Sequence, residues 1–204
     1  MSNPLYRMYD KPYTTQHPHT NFRSPREMGE RYKLYHSGVE NKRNGKGTAL
    51  SPEMKEGILQ GHRESDCVIW LKVEVEKLIV NVICAHASQV GCEEHEKDEV
   101  WELLGGVTVH IPETEEVCLG GNLNGQAGEG NRETNVIGGH GIGRRNLKGN
   151  RIVDFAVANQ LAALNTFFRK RRSQLITYCS GGRELQIDYI MSRRGLKRVH
   201  DCKV

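Results

Sequence analysis

A chain of 204 residues and 23.1 kDa is the size of one ordinary domain with a tail, long enough to bury a core without disulfide staples. With 26% charged residues, a mean hydropathy of −0.61 and no run near the ~18 to 20 uncharged apolar residues of a membrane helix, a helical membrane span is excluded. The net charge of +4 conceals an asymmetry: residues 141–204 carry 14 Lys and Arg against 4 Asp and Glu, residues 1–140 carry 15 against 21.

Four of the six prolines fall in the first 25 residues, among Tyr, Thr, His and Asn without helical or strand period, so residues 1–28 are expected to be a disordered tail and 29–204 the folded domain. No apolar leader opens the chain, which suggests an intracellular protein of nucleus or cytoplasm, with its six scattered cysteines as structural thiols. Tyr32 to His36 alternates as a strand does, and Thr48 to Ser51 would be its hairpin partner across the turn residues Arg43 to Gly47.

The clearest hairpin lies in Val68 to Val75 and Leu78 to Ala85, β-branched runs joined by Glu76-Lys77. Val100, Leu103 and Leu104 share one face of an acidic helix over 93–104. Val117 to Gly120 is then a short buried strand entering a glycine turn. After a long glycine-rich loop, 125–143, whose Gly139 to Gly143 is expected at the surface, a helical rhythm runs over 152–160. Strands are expected at Leu164 to Phe168, Leu175 to Tyr178 and Leu185 to Met191. Hairpins interspersed with helices make an α+β fold, not a doubly wound one.

Two basic clusters end the chain. Arg169, Lys170, Arg171 and Arg172 form the first, Arg193 and Arg194 open the second, and Arg183 lies between them. A field of this sign attracts phosphate backbones, DNA or RNA, though a solvated charged face has the same composition. The densest chemistry lies in Gly120-Gly-Asn-Leu-Asn-Gly125, taken with Gln186-Ile-Asp-Tyr-Ile190. Without further information Asn122 and Asn124 are turn residues, since Asn tolerates positive φ and bonds its own backbone.

With those two segments, Tyr32 to Gly38, Leu50 to Lys55, Ile79 onward, Gly128 to Asn131, Gly138 to Asn146, Asn165 to Phe168, Leu175 to Tyr178 and Ser180 to Glu184, the chain from Glu30 to Val204 resembles the endonuclease/exonuclease/phosphatase superfamily, in particular the endonucleases of LINE-type retrotransposons. The resemblance implies a four-layer α/β sandwich, incomplete here, of a phosphodiesterase that uses Mg²⁺ or Mn²⁺. It gives catalytic roles to Asn124, as the second position of a Gly-Asp-x-Asn motif, to Thr177 near the phosphate, and to Asp188 as the partner of a His. Asn122 stands where such proteins have a catalytic Asp, and His86 where they have a Tyr. An amide cannot take a proton from water, so the resemblance implies impaired catalysis. The strands that would carry a metal-holding Glu and the catalytic His are not recognisable, which implies a sheet edge that a partner chain could complete.

Overall fold

In the computed structural model the described residues are 26–28, 31–37, 46–87, 94–130, 135–193, 199–202 and 204. Their strands are β1 (Arg26–Met28), β2 (Tyr32–Ser37), β3 (Lys46–Leu50), β4 (Ile58–Arg63), β5 (Val68–Val75), β6 (Leu78–His86), β7 (Glu116–Asn122), β8 (Leu161–Ala163), β9 (Tyr178–Ser180), β10 (Arg183–Leu185) and β11 (Asp188–Arg193). The helices are α1 (Pro52–Glu56), α2 (Glu94–Val109), α3 (Leu147–Ala158) and α4 (Arg172–Leu175).

The β5–β6 hairpin forms because its turn residues, Glu76 and Lys77, both adopt positive φ, the geometry that matches strand twist in a two-residue hairpin. Its strands alternate between two cores. Ile69, Leu71, Val73, Val82 and Cys84 meet Tyr35, Leu50 and Met54 of the β1-β2-β3 sheet and α1. Val68, Ile83 and Ala85 meet Leu104 of α2 and Ile152, Phe155 and Ala156 of α3. A hairpin buried on both faces is the middle of a layered fold. The central sheet has six strands in the order β4-β5-β6-β7-β11-β8.

Only β6 and β7 pair in parallel within that sheet, and α2 is the crossover between them. The described layers are therefore helices, six-stranded sheet and three-stranded sheet. This is an α+β sandwich of the expected kind, with two sheets face to face. Arg26–Met28, placed in the tail by composition, pair with β2; the tail's residues 1–25 lie outside the described residues.

At its edges the reading from sequence needs correction. Leu164 to Phe168 is not a strand: β8 ends at Ala163, and Leu164–Thr166 form a 3₁₀ turn. The side chains of Asn165 and Thr166 supply the reason. Asn165 donates to Asp188 O and accepts from Ile190 N–H, while Thr166 Oγ1 accepts from Gly138 N–H and donates to Ala163 O. Such side-chain bonds compete with a ladder and displace it. Of Leu175 to Tyr178, Leu175 ends α4, Ile176 and Thr177 belong to no element and Tyr178 opens β9, and Leu185 to Met191 divides at Gln186-Ile187 into β10 and β11. Within the stretch expected at the surface Ile142 is buried, as are Gly125 to Gly128, Val136 and Ile137 earlier in the glycine-rich loop.

A buried polar chain anchors the far end of the crossover. Trp70 Nε1–H donates to Asn81 Oδ1, Asn81 Nδ2–H to Glu115, and Lys72 Nζ to the other Glu115 oxygen, at 2.9, 2.8 and 2.5 Å. Burial works to raise the Glu115 pKa, but the bonds from Asn81 and Lys72, with the charges of Lys72 and Arg193, hold it below the ordinary glutamate value. A depressed folded pKa adds stability that is present above the unfolded value and is lost as pH falls through the folded one. Glu115→Gln is expected to lower stability at pH 7 by about 2 kcal/mol, the scale of a hydrogen bond to a charged group. The deficit should shrink as pH falls below the ordinary glutamate range, as urea titrations at pH 7 and in acid would show.

Candidate functional site

The carboxyl ends of β6 and β7 meet the start of β11. In the sheet register His86 pairs with Asn122, and Asn122 with Asp188, so three residues that are 36 and 66 positions apart in sequence form one row across adjacent strands. Their odd-numbered neighbours Ala85, Leu119 and Tyr189 belong to the helical core. Strand alternation therefore aims His86, Asn122 and Asp188 to the opposite face, the side of the small sheet. Gly120, opposite Ile190 in the register, adds no side chain to that face.

Asn122 and Asn124 are turn residues as well as members of the row's neighbourhood. The Asn122 Oδ1 accepts from Asn124 N–H at 2.9 Å, Asn124 has a φ of 49°, and together they make an Asx turn. The turn holds the Asn122 amide through its Oδ1, and the NH₂ takes no part in the turn. Asn124 Nδ2–H donates to Ala87 O at 2.6 Å, joining the two strand ends.

Thr177 sits beneath the row. Its Oγ1 accepts from Ile187 and Asp188 N–H at 3.0 and 3.2 Å, and its hydroxyl hydrogen-bonds the Asp188 carboxyl. The structure thus gives Thr177 a part in holding Asp188. Asn165 has a similar part that sequence reasoning missed: it is buried, and its amide brackets the backbone of Asp188 and Ile190 at 3.1 and 3.2 Å. An Asn within Leu164-Asn-Thr-Phe-Phe168 was the available signal. Gln186, also missed, is 1% exposed, and its side-chain amide has no hydrogen-bond partner in the structure.

Burial raises the Asp188 pKa above the usual aspartate value, and the Thr177 hydroxyl partly opposes the rise. Between the unfolded and the folded pKa the native state holds more protons than the unfolded one, so stability falls as pH rises across that window. Asp188→Asn removes this loss. It is expected to unfold at a higher temperature than the natural chain at pH 7 and to show no such advantage at pH 3. Differential scanning calorimetry at the two pH values checks both.

No family model matches the chain. Craniofacial development protein 2 of Tragulus javanicus is 27% identical over 164 residues, and that of Bos taurus 26%; each match covers 79% of this chain and 28% of the relative. The chain thus spans just over a quarter of the length of these curated relatives. Among solved structures, the endonuclease domain of TRAS1, a telomere-specific non-LTR retrotransposon, superposes with a TM-score of 0.54 at 9% identity over 80% of this chain and 67% of that one. A D. rerio TDP2 complexed with single strand DNA product gives 0.53 at 10% identity over 79% and 62%, and an endonuclease/exonuclease/phosphatase family protein from Leptotrichia buccalis 0.51 at 10% over 82% and 62%. The fold is that of the endonuclease/exonuclease/phosphatase superfamily.

Within this fold the row does not suit the expected Mg²⁺ or Mn²⁺. Hard divalent cations bind through oxygen ligands, carboxylates foremost. The row offers one carboxylate, Asp188, whose charged form burial disfavours, and an Asn122 oxygen already engaged by the turn. Among the described residues no group of three or more His, Cys, Asp or Glu could hold a metal ion.

The basic residues divide. Arg169, Arg171, Arg172 and Arg183 are exposed, and α4, which begins at the last residue of the first cluster, leads in two residues to Thr177. Lys170 pairs with Asp201, and Arg172 Nη2 with Glu184 at 2.9 Å. Arg193 is elsewhere: it ends β11, five residues or ~17 Å along the strand from Asp188, and donates to Ile111 O at 2.6 Å. It serves the far end of the sheet. Arg194 lies outside the described residues.

Proposed function

We propose that this chain is a nucleic-acid-binding domain of the endonuclease/exonuclease/phosphatase type, of retrotransposon-endonuclease ancestry, in which hydrolysis of the phosphodiester is impaired. The in-register row of His86, Asn122 and Asp188 carries the reading. It gathers, at one sheet end, an imidazole, an amide and the carboxylate of a residue whose backbone Thr177 and Asn165 hold. Imidazole and amide donate hydrogen bonds to phosphoryl oxygens. The exposed arginines of 169–172 add a sequence-independent attraction to the backbone of DNA or RNA. That a TDP2 of the same fold is complexed with single strand DNA product supports nucleic acid as the ligand class.

The chemistry stops short at Asn122. Activating water needs a group that takes its proton, and an amide does not. Such a base is worth about 10² to 10⁴ in rate, which is the size of the impairment proposed. The row's one carboxylate, Asp188, is partly buried and committed to Thr177.

Plasmid nicking by the purified chain with Mg²⁺ or Mn²⁺, beside an EDTA control and Asp188→Ala, tests the proposal together with oligonucleotide binding at several salt concentrations. Salt-dependent binding without nicking is the expected result. Metal-dependent nicking that Asp188→Ala abolishes would overturn the impairment, and folded protein that neither binds nor nicks would overturn the whole reading.

A further inference from the structure

Among the described residues the exposed serines and threonines are Thr114, Ser173 and Ser180. Their charge surroundings differ. Thr114 stands among Glu113, Glu115 and Glu116, and the four residues before Ser180 carry no charge, whereas Ser173 directly follows Arg169, Lys170, Arg171 and Arg172. The first basic cluster therefore ends on an exposed hydroxyl. A serine kinase with an acidic peptide groove selects its substrates by cations on the N-terminal side of the hydroxyl, and repels a hydroxyl set among acids. Guanidinium–carboxylate pairs give that recognition geometry as well as energy.

A substrate segment must also leave its fold and extend into the groove, so the cost of opening it matters. Here that cost is small. Residues 169–171 belong to no helix or strand, Arg171 already has an extended backbone with φ −66° and ψ 147°, and α4 contains no buried residue. The bonds to be broken are few: Gln174 N–H to Arg171 O, Ile176 N–H to Arg172 O, and Arg171 N–H to Gln174 Oε1. Two ion pairs, Lys170 with Asp201 and Arg172 with Glu184, also hold the segment, and surface pairs of this kind contribute little. A segment without buried side chains opens at the low-stability end of a fold.

We propose that Ser173 is a phosphorylation site for an arginine-directed serine kinase, and that the phosphate cancels much of the field of the 169–172 cluster. In the transfer, Ser173 Oγ bonds to the γ-phosphorus of a nucleoside triphosphate and the bond from that phosphorus to the β-phosphate oxygen breaks. A nucleoside diphosphate leaves, and the hydroxyl proton passes to a carboxylate of the kinase. The new group carries about −1.5 to −2 charges at pH 7 and three acceptor oxygens, beside the four cations of the cluster. Those oxygens offer the neighbouring guanidinium groups an anion within the chain in place of an external one. The site stands on exposure, charge and ease of opening; only its consequence for nucleic acid rests on the proposed function.

The purified chain, incubated with Mg²⁺-ATP and an arginine-directed serine kinase, is expected to gain a phosphoryl group that peptide mass spectrometry maps to Ser173. An acid-directed kinase should leave Ser173 unmodified. Lys170→Gln/Arg171→Gln should slow the transfer at least ~10-fold, as loss of charge-assisted bonds does. Two readouts then follow the charge. Oligothymidylate should bind the phosphorylated chain about 10-fold more weakly, with the slope of log K against log salt lower by about 1.4, two single-strand phosphate contacts. Elution from heparin, which reads the cluster whatever its natural ligand, should come at lower salt. Ser173→Ala keeps the cluster and removes the acceptor, so kinase treatment should change neither readout.

Phosphate that the kinase places elsewhere and not on Ser173 overturns the site. A chain phosphorylated at Ser173 that elutes from heparin and binds oligothymidylate as the unmodified chain does overturns the cancellation. If neither form binds oligothymidylate while phosphorylation still lowers the heparin elution salt, the modification stands and the nucleic-acid reading fails.

Discussion

Asn122→Asp is expected to increase metal-dependent plasmid nicking by about 10²-fold or more, the lower end of what a positioned base contributes. The substitution is nearly isosteric, and a carboxylate oxygen can accept the Asn124 N–H bond at 2.9 Å as the amide oxygen does, so the Asx turn is preserved. What changes is the other group of the side chain, from an NH₂ donor to an oxygen that can accept a proton.

The new carboxylate would face Asp188 across the β7–β11 pair. Like charges directly opposite on neighbouring strands cost roughly 0.2–1 kcal/mol, and they raise further a pKa that burial already raises. Without metal the variant should therefore melt about 1–4 °C below the natural chain at pH 7. Two facing carboxylates also make the oxygen-rich pair that a divalent cation takes, so Mn²⁺ should return the loss in the variant and leave the natural chain unchanged. A metal-dependent rise in melting temperature without nicking would place the defect in groups other than the base. Neither response would remove position 122 from the site.

Gly121→Ala should destabilise the protein by about 3 kcal/mol or more, the upper end for overpacking. A Cβ at Gly121 would sit 1.8 Å from the Ala85 carbonyl oxygen. That oxygen belongs to backbone, so no rotamer change relieves the contact, and β6 and β7 must separate where His86 and Asn122 are paired. The row would be lost with the stability. Gly139→Ala is the matched control: its Cβ would meet nothing within 4 Å, and it should melt within 2 °C of the natural chain. Urea unfolding of the two variants decides the comparison, and equal stabilities would show that the β6–β7 contact yields cheaply.

Long periodic segments announced themselves. Val68–Val75 and Leu78–His86 alternate so regularly, with a two-residue turn between them, that the central hairpin was legible residue by residue, and so were the acidic helix and the rhythm of α3. These signals are local: propensity, period and turn residues act over a few positions. The short elements behaved differently. Asn165, Thr166 and Thr177 have ordinary strand neighbours, yet each spends its side chain on backbone groups 10 to 28 residues away, and no local pattern signals such a partner.

The same division runs through the site. Asn122, Asn124 and Asp188 could be singled out from their glycine-rich and Gln186-Ile-Asp-Tyr segments by resemblance, and the tertiary structure then put His86, Asn122 and Asp188 in one row, because strand register is set by which apolar faces pack together and not by the residues that end the strands. Arg193 shows the converse: its charge was visible in the sequence, but only the course of β11 carries it to the far end of the sheet. The meeting of the two long helices was likewise tertiary: Arg151 of α3 pairs with Asp98 of α2, because both helices pack their apolar residues on the same face of the central sheet.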